Sequence, residues 1–471
     1  MALSSKKSAP SLPTKIDVVS NVDKGRVVSI LGGFIELSYY ESILQDSIKV
    51  SYFYADAGSS IDGKSVVEGL PMIGTEDVQL VIEDNNQSKI KVDLNVNSIN
   101  PAYEDSTKSI TRLSLVSEQF IRNEEGSARI MERYDGNISE NVKRILKDKL
   151  KAKSGKKLKE KNIEDTANDY NFFGNGRKPY YMLNYLSKAS VPSTQNSDGN
   201  TAGYFFYETS KGYNFKSIDS LLSQKKKKSI IYNETPDNGG EDIPEGYDMK
   251  ALQFEKENAV NVQNKLRMGA YSTRTVVFNP FNCKYEVLNK EAKEVEKKEG
   301  IQTAGERLPV FNKEFDQEGK EKEFSRTMYM LLDTGSLPSG DAEKPVAASD
   351  QQLEKCESQN YQPAKILAQS VMRYNQLFAA LNTITIAGDF SLHAGDAIFV
   401  DAPDLQTDTS NDEVNKESGG LYIIADLCHY ITPKETYTKL NLVRDTFGRK
   451  CKPTSSQQSG SGSQSEDVLL F

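Results

Sequence analysis

The amino-acid sequence predicts a mainly β (α+β) protein with a mixed α/β region in the middle of the chain. Two separate stretches, residues 26–116 and 382–445, consist of short apolar or alternating runs divided by turn-forming residues. This pattern is typical of antiparallel barrels or sandwiches. Between the two stretches lie helical patterns and an aromatic hairpin. A chain of 471 residues is expected to form about two to four domains.

Composition limits the classes of function. Hydrophobic residues make up 37% and tryptophan is absent, so we expect several small domains rather than one large apolar core. The net charge of −8 argues against a protein that binds nucleic acid over its whole surface. No run approaches the ~18 apolar residues of a membrane-spanning helix, and the first residues lack the apolar segment of a secretory signal. Four cysteines without a CxxC spacing predict free thiols in a reducing compartment; they are Cys283, Cys356, Cys428 and Cys451.

The first β region is predicted to form a domain over residues 23–117, after a flexible Ser/Lys/Pro-rich leader at 1–22. The run at 48–54 alternates apolar and polar residues as a half-buried strand does, and Asp84-Asn85-Asn86 provides a turn. Strands are expected at 27–31, 34–40, 48–54, 78–82, 90–96 and 112–116.

Residues 118–200 change to a helical pattern and are predicted to form a middle helical or mixed domain. Ser139 is expected to cap a helix that continues to residue 147. A second helix is expected over 180–188, preceded by Gly174-Asn175-Gly176. This glycine pair lacks the third glycine and the Lys-Ser/Thr of a phosphate loop, so we interpret it as a helix-entry turn. The lysine-rich run at 149–161 is interpreted as a solvated surface.

The next region, residues 201–360, begins with the stretch around which we expect the chain to be organised. Tyr204 to Tyr207 are four consecutive aromatic residues, followed by Ser210-Lys211-Gly212 and a second aromatic run. The pattern predicts a strand, a tight turn and a strand, and then a short helix with a Ser or Asp cap. The four lysines at 225–228 indicate an exposed turn. A strand at 272–278 is expected to pair with 281–287, and 336–360 is expected to be extended.

The last region, residues 361–447, is predicted to contain a long helix over 365–378 and a second β-barrel. A long insertion at 404–418 interrupts this barrel, and residues 448–471 are expected to form a flexible tail. The strands of the second β-barrel are expected at 382–388, 397–400, 420–425, 427–431 and 437–444.

The sequence offers little catalytic chemistry. Its only histidines are His393 and His429. Cys428 and His429 are neighbours on a predicted strand, so their side chains point to opposite faces and do not form a nucleophile pair. No third metal ligand, Ser-His-Asp order, HExxH or GxSxG motif accompanies them, and no spacing selects a pair of acids. We therefore predict no catalytic residue, no cofactor site, no metal site and no enzymatic activity.

Five segments of the sequence form a set of motifs. They are FFGNGRKPY at 172–180, the aromatic hairpin with GYNFKSID within 201–222, GDAIFV at 395–400, SGGLYIIADLCHY at 418–430 and YTKLNLVRD at 437–445. By their order along the chain, these segments together resemble the baseplate central hub proteins of contractile-tailed (myovirus) bacteriophages. The lysine run at 143–161 and the insertion at 404–418 depart from the resemblance.

The resemblance implies a homotrimeric virion protein whose subunits each carry two tail-tube-like antiparallel β-barrels. Three subunits would present six similar barrels and so adapt a three-fold central spike to a six-fold tail tube, forming a channel for DNA in transit. The implied partners are the central spike protein, the tail tube or tube-initiator protein, baseplate wedge proteins and the tape-measure protein. The implied location is the tail baseplate, assembled in the host cytoplasm. The acidic net charge suits a channel through which DNA passes without binding.

Two other classes of function stay open. A cell-wall hydrolase would need an acid/base pair, and no motif identifies one. A nucleic-acid-binding protein would use the lysine stretches 143–161 and 225–228, although the acidic total argues against it. The resemblance does not distinguish a hub from a tube-initiator or a type VI-like spike component of the same barrel family.

Overall fold

The mainly β prediction is confirmed by the computed structural model. The predicted extended segment 336–360, nearly all of the insertion 404–418, and Cys356 and Cys451 lie outside the residues that the structure describes. Those described are residues 10–23, 25–105, 107–193, 201–232, 243–257, 262–279, 283–291, 301–306, 326–331, 363–402, 415, 418–450 and 452–453.

The elements follow the predicted order of a β region, a mixed region and a second β region. The first region contains β1 (Pro13–Val19), β2 (Val27–Ser29), β3 (Phe34–Ser42), β4 (Lys49–Asp56), α1 (Val66–Gly69), β5 (Asp77–Glu83), β6 (Lys89–Glu104) and β7 (Ser109–Val116). The mixed region contains α2 (Glu118–Arg122), β8 (Arg133–Tyr134), α3 (Ile138–Asp148), β9 (Phe172–Phe173), α4 (Pro179–Ala189), β10 (Tyr204–Thr209), β11 (Gly212–Ser217), α5 (Ile218–Ser223), β12 (Ser229–Ile231), β13 (Met249–Lys250), β14 (Gln253–Glu257), α6 (Val262–Met268), β15 (Ser272–Asn279), β16 (Lys284–Glu291) and β17 (Arg326–Leu331). The last region contains α7 (Pro363–Leu377), β18 (Ala380–Ala387), β19 (Ala397–Asp401), β20 (Gly420–Ile431) and β21 (Thr436–Arg444).

The two β regions are joined in one sheet of 14 strands. Its order is β13-β12-β19-β20-β3-β4-β7-β6-β5-β1-β2, and β21, β18 and β14 extend it from the other edge of β20. The junction is the antiparallel pair β3–β20, in which Leu37 lies opposite Ile431 and Ser42 opposite Asp426. Among the described strands no barrel is closed, so the expectation of two separate barrels is not confirmed.

Both β regions bury their apolar side chains in the same core. Leu37, Tyr52 and Leu80 of the first region and Ile386 and Leu427 of the last region belong to it, each at most 1% exposed. Burial of apolar surface is the main favourable term in folding. The junction between the regions is therefore held by a shared core as well as by backbone hydrogen bonds.

Part of the predicted flexible leader is a strand. In β1 the apolar Ile16 and Val18 are fully buried and alternate with Lys15 and Asp17. β1 pairs with β2 on one edge and with β5 on the other. The residues before Pro13 are rich in Ser, Lys and Pro, and the short alternation that follows them was therefore assigned to the leader. The predicted boundary between the leader and the first β domain, at residue 22, is wrong.

In the middle region, α3 and α4 pack against the central hairpin in a second core. The first of these helices begins after Asn137, whose side-chain oxygen accepts a hydrogen bond from Ser139 N at 2.9 Å. The predicted cap at Ser139 is therefore wrong by two residues. Asparagine caps as well as serine does, and the backbone is still extended at Asn137, with φ −62° and ψ 136°.

A separate three-stranded sheet, in the order β16-β15-β17, packs one face on α7. The predicted pairing of the strand at 272–278 with the following strand is confirmed, with Val276 opposite Val287. The sequence did not predict β17, which joins β15 in parallel. On the face away from the helix, Tyr285 and Tyr329 are 74% and 80% exposed.

Candidate functional site at the central hairpin

Along β10 the aromatic side chains alternate between two cores. Tyr204 and Phe206 belong to the core of α3 and α4, whereas Phe205 and Tyr207 pack with α5, α7 and strands of the last β region. All four side chains are at most 6% exposed. Successive residues of a strand point to opposite faces, so four consecutive aromatic residues fit a hairpin that is buried on both faces. The predicted hairpin and the short helix after it, capped by Ser217, are confirmed.

The turn of the hairpin lies against the lysine-rich run. Gly212 has a φ of +114°, and a Cβ atom there would lie 2.5 Å from the carbonyl oxygen of Lys157. Tyr213 N donates a hydrogen bond of 2.8 Å to the same oxygen. Only glycine suits position 212, because of both its backbone angle and this close approach.

Beneath the turn lies Glu41 of β3, which is 2% exposed. It accepts hydrogen bonds from Tyr39 Oη at 2.7 Å, Ser210 N at 2.8 Å and Ala394 N at 3.0 Å. His393 Nδ1 lies 3.3 Å from Glu41 Oε1. Burial alone would raise the pKa of Glu41, but His393 and the hydrogen bonds from Tyr39 and Ser210 lower it to about 2. We refer to these five residues as the hairpin cluster; it joins the first β region, the hairpin and the last β region.

Glu208, at the end of β10, joins the hairpin to the first β region and to the lysine-rich run. It accepts hydrogen bonds from Ser117 Oγ at 2.6 Å and Ile48 N at 3.1 Å. Lys157 Nζ pairs with its other carboxylate oxygen. The interpretation of 149–161 as a solvated surface is therefore wrong at Lys157, which neutralises a fully buried carboxylate.

A second ionic cluster surrounds Arg373 of α7, whose side chain is fully buried. Its guanidinium lies 3.3 Å from Asp219 Oδ1 and 3.2 Å from Asp445 Oδ2, and it donates to Gln302 O at 2.9 Å. Thr201 Oγ1 donates to Asp219 Oδ2 at 2.6 Å. Burial raises the pKa of Asp219 in spite of Arg373 and the hydrogen bonds from Thr201. We refer to these five residues as the helix cluster.

His429, the histidine that adjoins a cysteine, is a packed core residue. The ring centre of His429 lies 4.7 Å from that of Phe390 and 5.8 Å from that of Tyr39. Its Nδ1 lies 2.9 Å from Thr438 Oγ1, and burial lowers the pKa of His429 to about 3. Burial also raises the pKa of the Cys428 thiol to about 11, which disfavours a thiolate nucleophile.

The lysine stretch 225–228 connects α5 to β12 and is only partly an exposed turn. Lys227 pairs with Asp396, and Lys228 Nζ lies 3.8 Å from Asp389 Oδ2. Lys225 is exposed, as predicted. Lys226 Nζ lies 5.0 Å from the ring centre of Phe399, so three of the four lysines contact the last β region.

Within the described part of the chain, no group of three or more His, Cys, Asp or Glu side chains is placed to hold a metal ion. None of the described helices has both the length and the apolar character needed to cross a membrane. The described cysteines, Cys283 and Cys428, are free thiols.

No protein-family model and no curated protein sequence matches this chain. Among solved structures, it is similar to a 43 kDa tail protein of prophage MuSo2 from Shewanella oneidensis, with 10% identity, a TM-score of 0.47, and coverage of 92% of this chain and 99% of that one. It is also similar to a tail protein from Neisseria meningitidis MC58, with 10% identity, a TM-score of 0.48, and coverage of 92% and 96%. A third match is an E. coli component of the type VI secretion system, described as structurally similar to T4 bacteriophage tail proteins, with 7% identity, a TM-score of 0.39, and coverage of 90% and 75%.

The matched structures are thus two proteins named as tail proteins and one component of the type VI secretion system.

Proposed function

We propose that the chain is the structural hub of a phage contractile-tail baseplate. In this role a homotrimer adapts the three-fold central spike to the six-fold tail tube and encloses a channel through which DNA passes. The role requires surfaces that bind neighbouring proteins and requires no catalysis. The motifs of the sequence suggest it, and the pairing of β3 with β20 is the structural observation that supports it.

The β3–β20 pair places the two β regions side by side in one hydrogen-bonded sheet. The shared apolar core and the hairpin cluster hold them in that position. A subunit with two β regions at a fixed spacing offers two contact surfaces to a ring, so three subunits offer six. Such a subunit can match both a three-fold partner and a six-fold partner.

The barrel form of each region is also part of the proposal. Among the described strands, β2 and β14 lie at ends of the sheet and pair with a described strand on one edge only. An unpaired edge is a template for pairing with another chain. We propose that neighbouring subunits or tube proteins complete the tube-like barrels at these edges.

The proposed partners are the central spike protein, the tail tube or tube-initiator protein, the wedge proteins around the rim and the tape-measure protein. The net charge of −8 is compatible with a channel wall that does not retain DNA. The proposed location is the tail baseplate of the virion, after assembly in the host cytoplasm.

Native mass spectrometry of the purified chain at micromolar concentration tests the proposal. We expect a species near three times 52.5 kDa, either alone or after addition of a candidate spike protein. A chain that stays monomeric in both conditions would contradict the hub. Release of soluble fragments from purified cell wall would instead favour the hydrolase alternative.

A further inference from the structure

A recess beside the hairpin turn is lined by lysines of the hairpin and by Lys227 of the lysine stretch 225–228. Its volume is about 240 Å³. Its walls come from the hairpin, from the connection after α5 and from the segment before β19, and include Thr209, Lys211, Asn214, Lys216, Lys227 and Asp396. Lys216 Nζ donates to the carbonyl oxygen of Lys161 at 3.2 Å, so the end of the lysine-rich run lies at the same place.

The recess carries more positive than negative charge. Three lysines line it, and Asp396 is the carboxylate on its wall. Lys227 pairs with that carboxylate, whereas Lys211 forms no ion pair with any described residue. Desolvation and the nearby charge of Lys227 lower the pKa of Lys211. His393 also borders the recess, but its Nδ1 is directed to the buried Glu41.

Lys211 and Lys216 form no close ion pair with a described carboxylate, although the charges of Asp396 and Glu41 act on Lys211 from a longer distance. An anion in the recess would gain charge-assisted hydrogen bonds from the ammonium groups that line it. It would also offset part of the repulsion between Lys211 and Lys227. The recess has roughly eight times the ~30 Å³ that a water molecule occupies, which is enough for the end of an acidic side chain.

We propose that this recess binds a carboxylate that an acidic peptide segment of a partner protein presents. Nucleic acid fits less well, because proteins follow a phosphate backbone with lysines spread along a groove, whereas these lysines surround one recess. The hairpin motif supplies much of the wall, including Thr209, Lys211 and Asn214. The site depends on the recess alone and stands whether or not the chain is a baseplate hub.

Fluorescence anisotropy with a labelled hexaglutamate peptide, at low salt, tests the site. Lys211→Gln removes one ammonium group without breaking an ion pair and should weaken binding roughly three- to tenfold. Lys211→Glu should weaken it further. Lys225→Gln is the matched control, because Lys225 is an exposed lysine that does not line the recess, and it should change binding less than about twofold. Circular dichroism of each variant checks that the fold is retained.

Three results would overturn the proposal. One is equal weakening by Lys211→Gln and Lys225→Gln, which would mean general attraction to a basic surface. Another is no binding of hexaglutamate to the unmodified chain at millimolar concentration. The third is tighter binding of a labelled twenty-nucleotide oligothymidylate that is lost in Lys211→Gln, which would assign the recess to nucleic acid.

Discussion

The hairpin cluster and the helix cluster bury the same kind of charge and stabilise it differently. Glu41 accepts from a tyrosine hydroxyl and two backbone N–H groups, with His393 beside it. Asp219 and Asp445 instead share the guanidinium of Arg373. The pKa of Glu41 is lowered to about 2, whereas the pKa of Asp219 is raised. Two carboxylates in buried sites thus shift in opposite directions.

This difference indicates the group whose removal should destabilise each cluster most. In the hairpin cluster the carboxylate is the shared acceptor, so its removal leaves several oriented donors without a partner. In the helix cluster the cation is the shared group, and its removal leaves two buried carboxylates unpaired. The hairpin cluster joins three regions through one acid, and the helix cluster joins α7, α5 and the end of β21 through one base.

The largest effect is expected for Arg373→Met. It leaves Asp219 and Asp445 buried without a cation, so the free energy of unfolding should fall by about 3–5 kcal/mol. Urea denaturation followed by circular dichroism measures it, since the chain contains no tryptophan. Arg373→Lys keeps the charge and loses the planar fork, so an intermediate loss is expected. A loss below about 1 kcal/mol for Arg373→Met would show that the cluster contributes little.

A smaller effect is expected for Glu41→Gln, which keeps the shape and removes the charge. The free energy of unfolding at neutral pH should fall by about 2–3 kcal/mol, because donors of the hairpin cluster lose a charged acceptor. Glu36→Gln, on the same strand at a partly exposed position, is the control and should cost less than about 1 kcal/mol.

The pH dependence sharpens this prediction. The pKa of Glu41 is lower in the folded chain than its ordinary value of 4.5, so its contribution is present above pH 4.5 and is lost as the pH falls towards about 2. The difference between the unmodified chain and Glu41→Gln should therefore shrink over this interval. A difference that does not change with pH would contradict the lowered pKa.

His429→Gln, next to the hairpin cluster, is expected to change the pH dependence of stability in addition to removing a packed ring. Burial holds the pKa of His429 at about 3, below its ordinary value of 6.5. Only the unfolded chain binds this proton between those two values, so stability falls with decreasing pH by about 1.4 kcal/mol per pH unit from this group. When the free energy of unfolding is measured by urea denaturation at a series of pH values, the decrease due to His429 should be present in the unmodified chain and absent from the variant. Equal slopes for both proteins would contradict a neutral, buried histidine.

Local patterns in the sequence were sufficient to predict most elements. Alternation predicted the strand at 48–54, and helical spacing predicted α3, α4 and α7. The aromatic run at Tyr204 to Tyr207 predicted a hairpin, although the alternation of its side chains between two cores required the packed structure. β1 and β17 were missed because each is a short alternation inside a polar or charged stretch.

The junction itself could not be predicted from the sequence. The β3–β20 pair joins residues nearly four hundred positions apart, and an antiparallel strand pattern does not specify a distant partner. Glu208 and Arg373 did carry a local signal, since each is a charged residue within an apolar run of a predicted element. Their partners, Lys157 and Asp445, carried no such signal, because the sequence alone does not distinguish a buried charged residue from an exposed one.

In the proposed hub each subunit holds two β regions at a fixed spacing, so that three subunits present six. Electron-microscopy class averages of the purified oligomer, viewed along its symmetry axis, test this arrangement. We expect six similar densities around a central opening, alternating between the first and last β regions. A ring with three densities, or a particle without rotational symmetry, would rule out this arrangement.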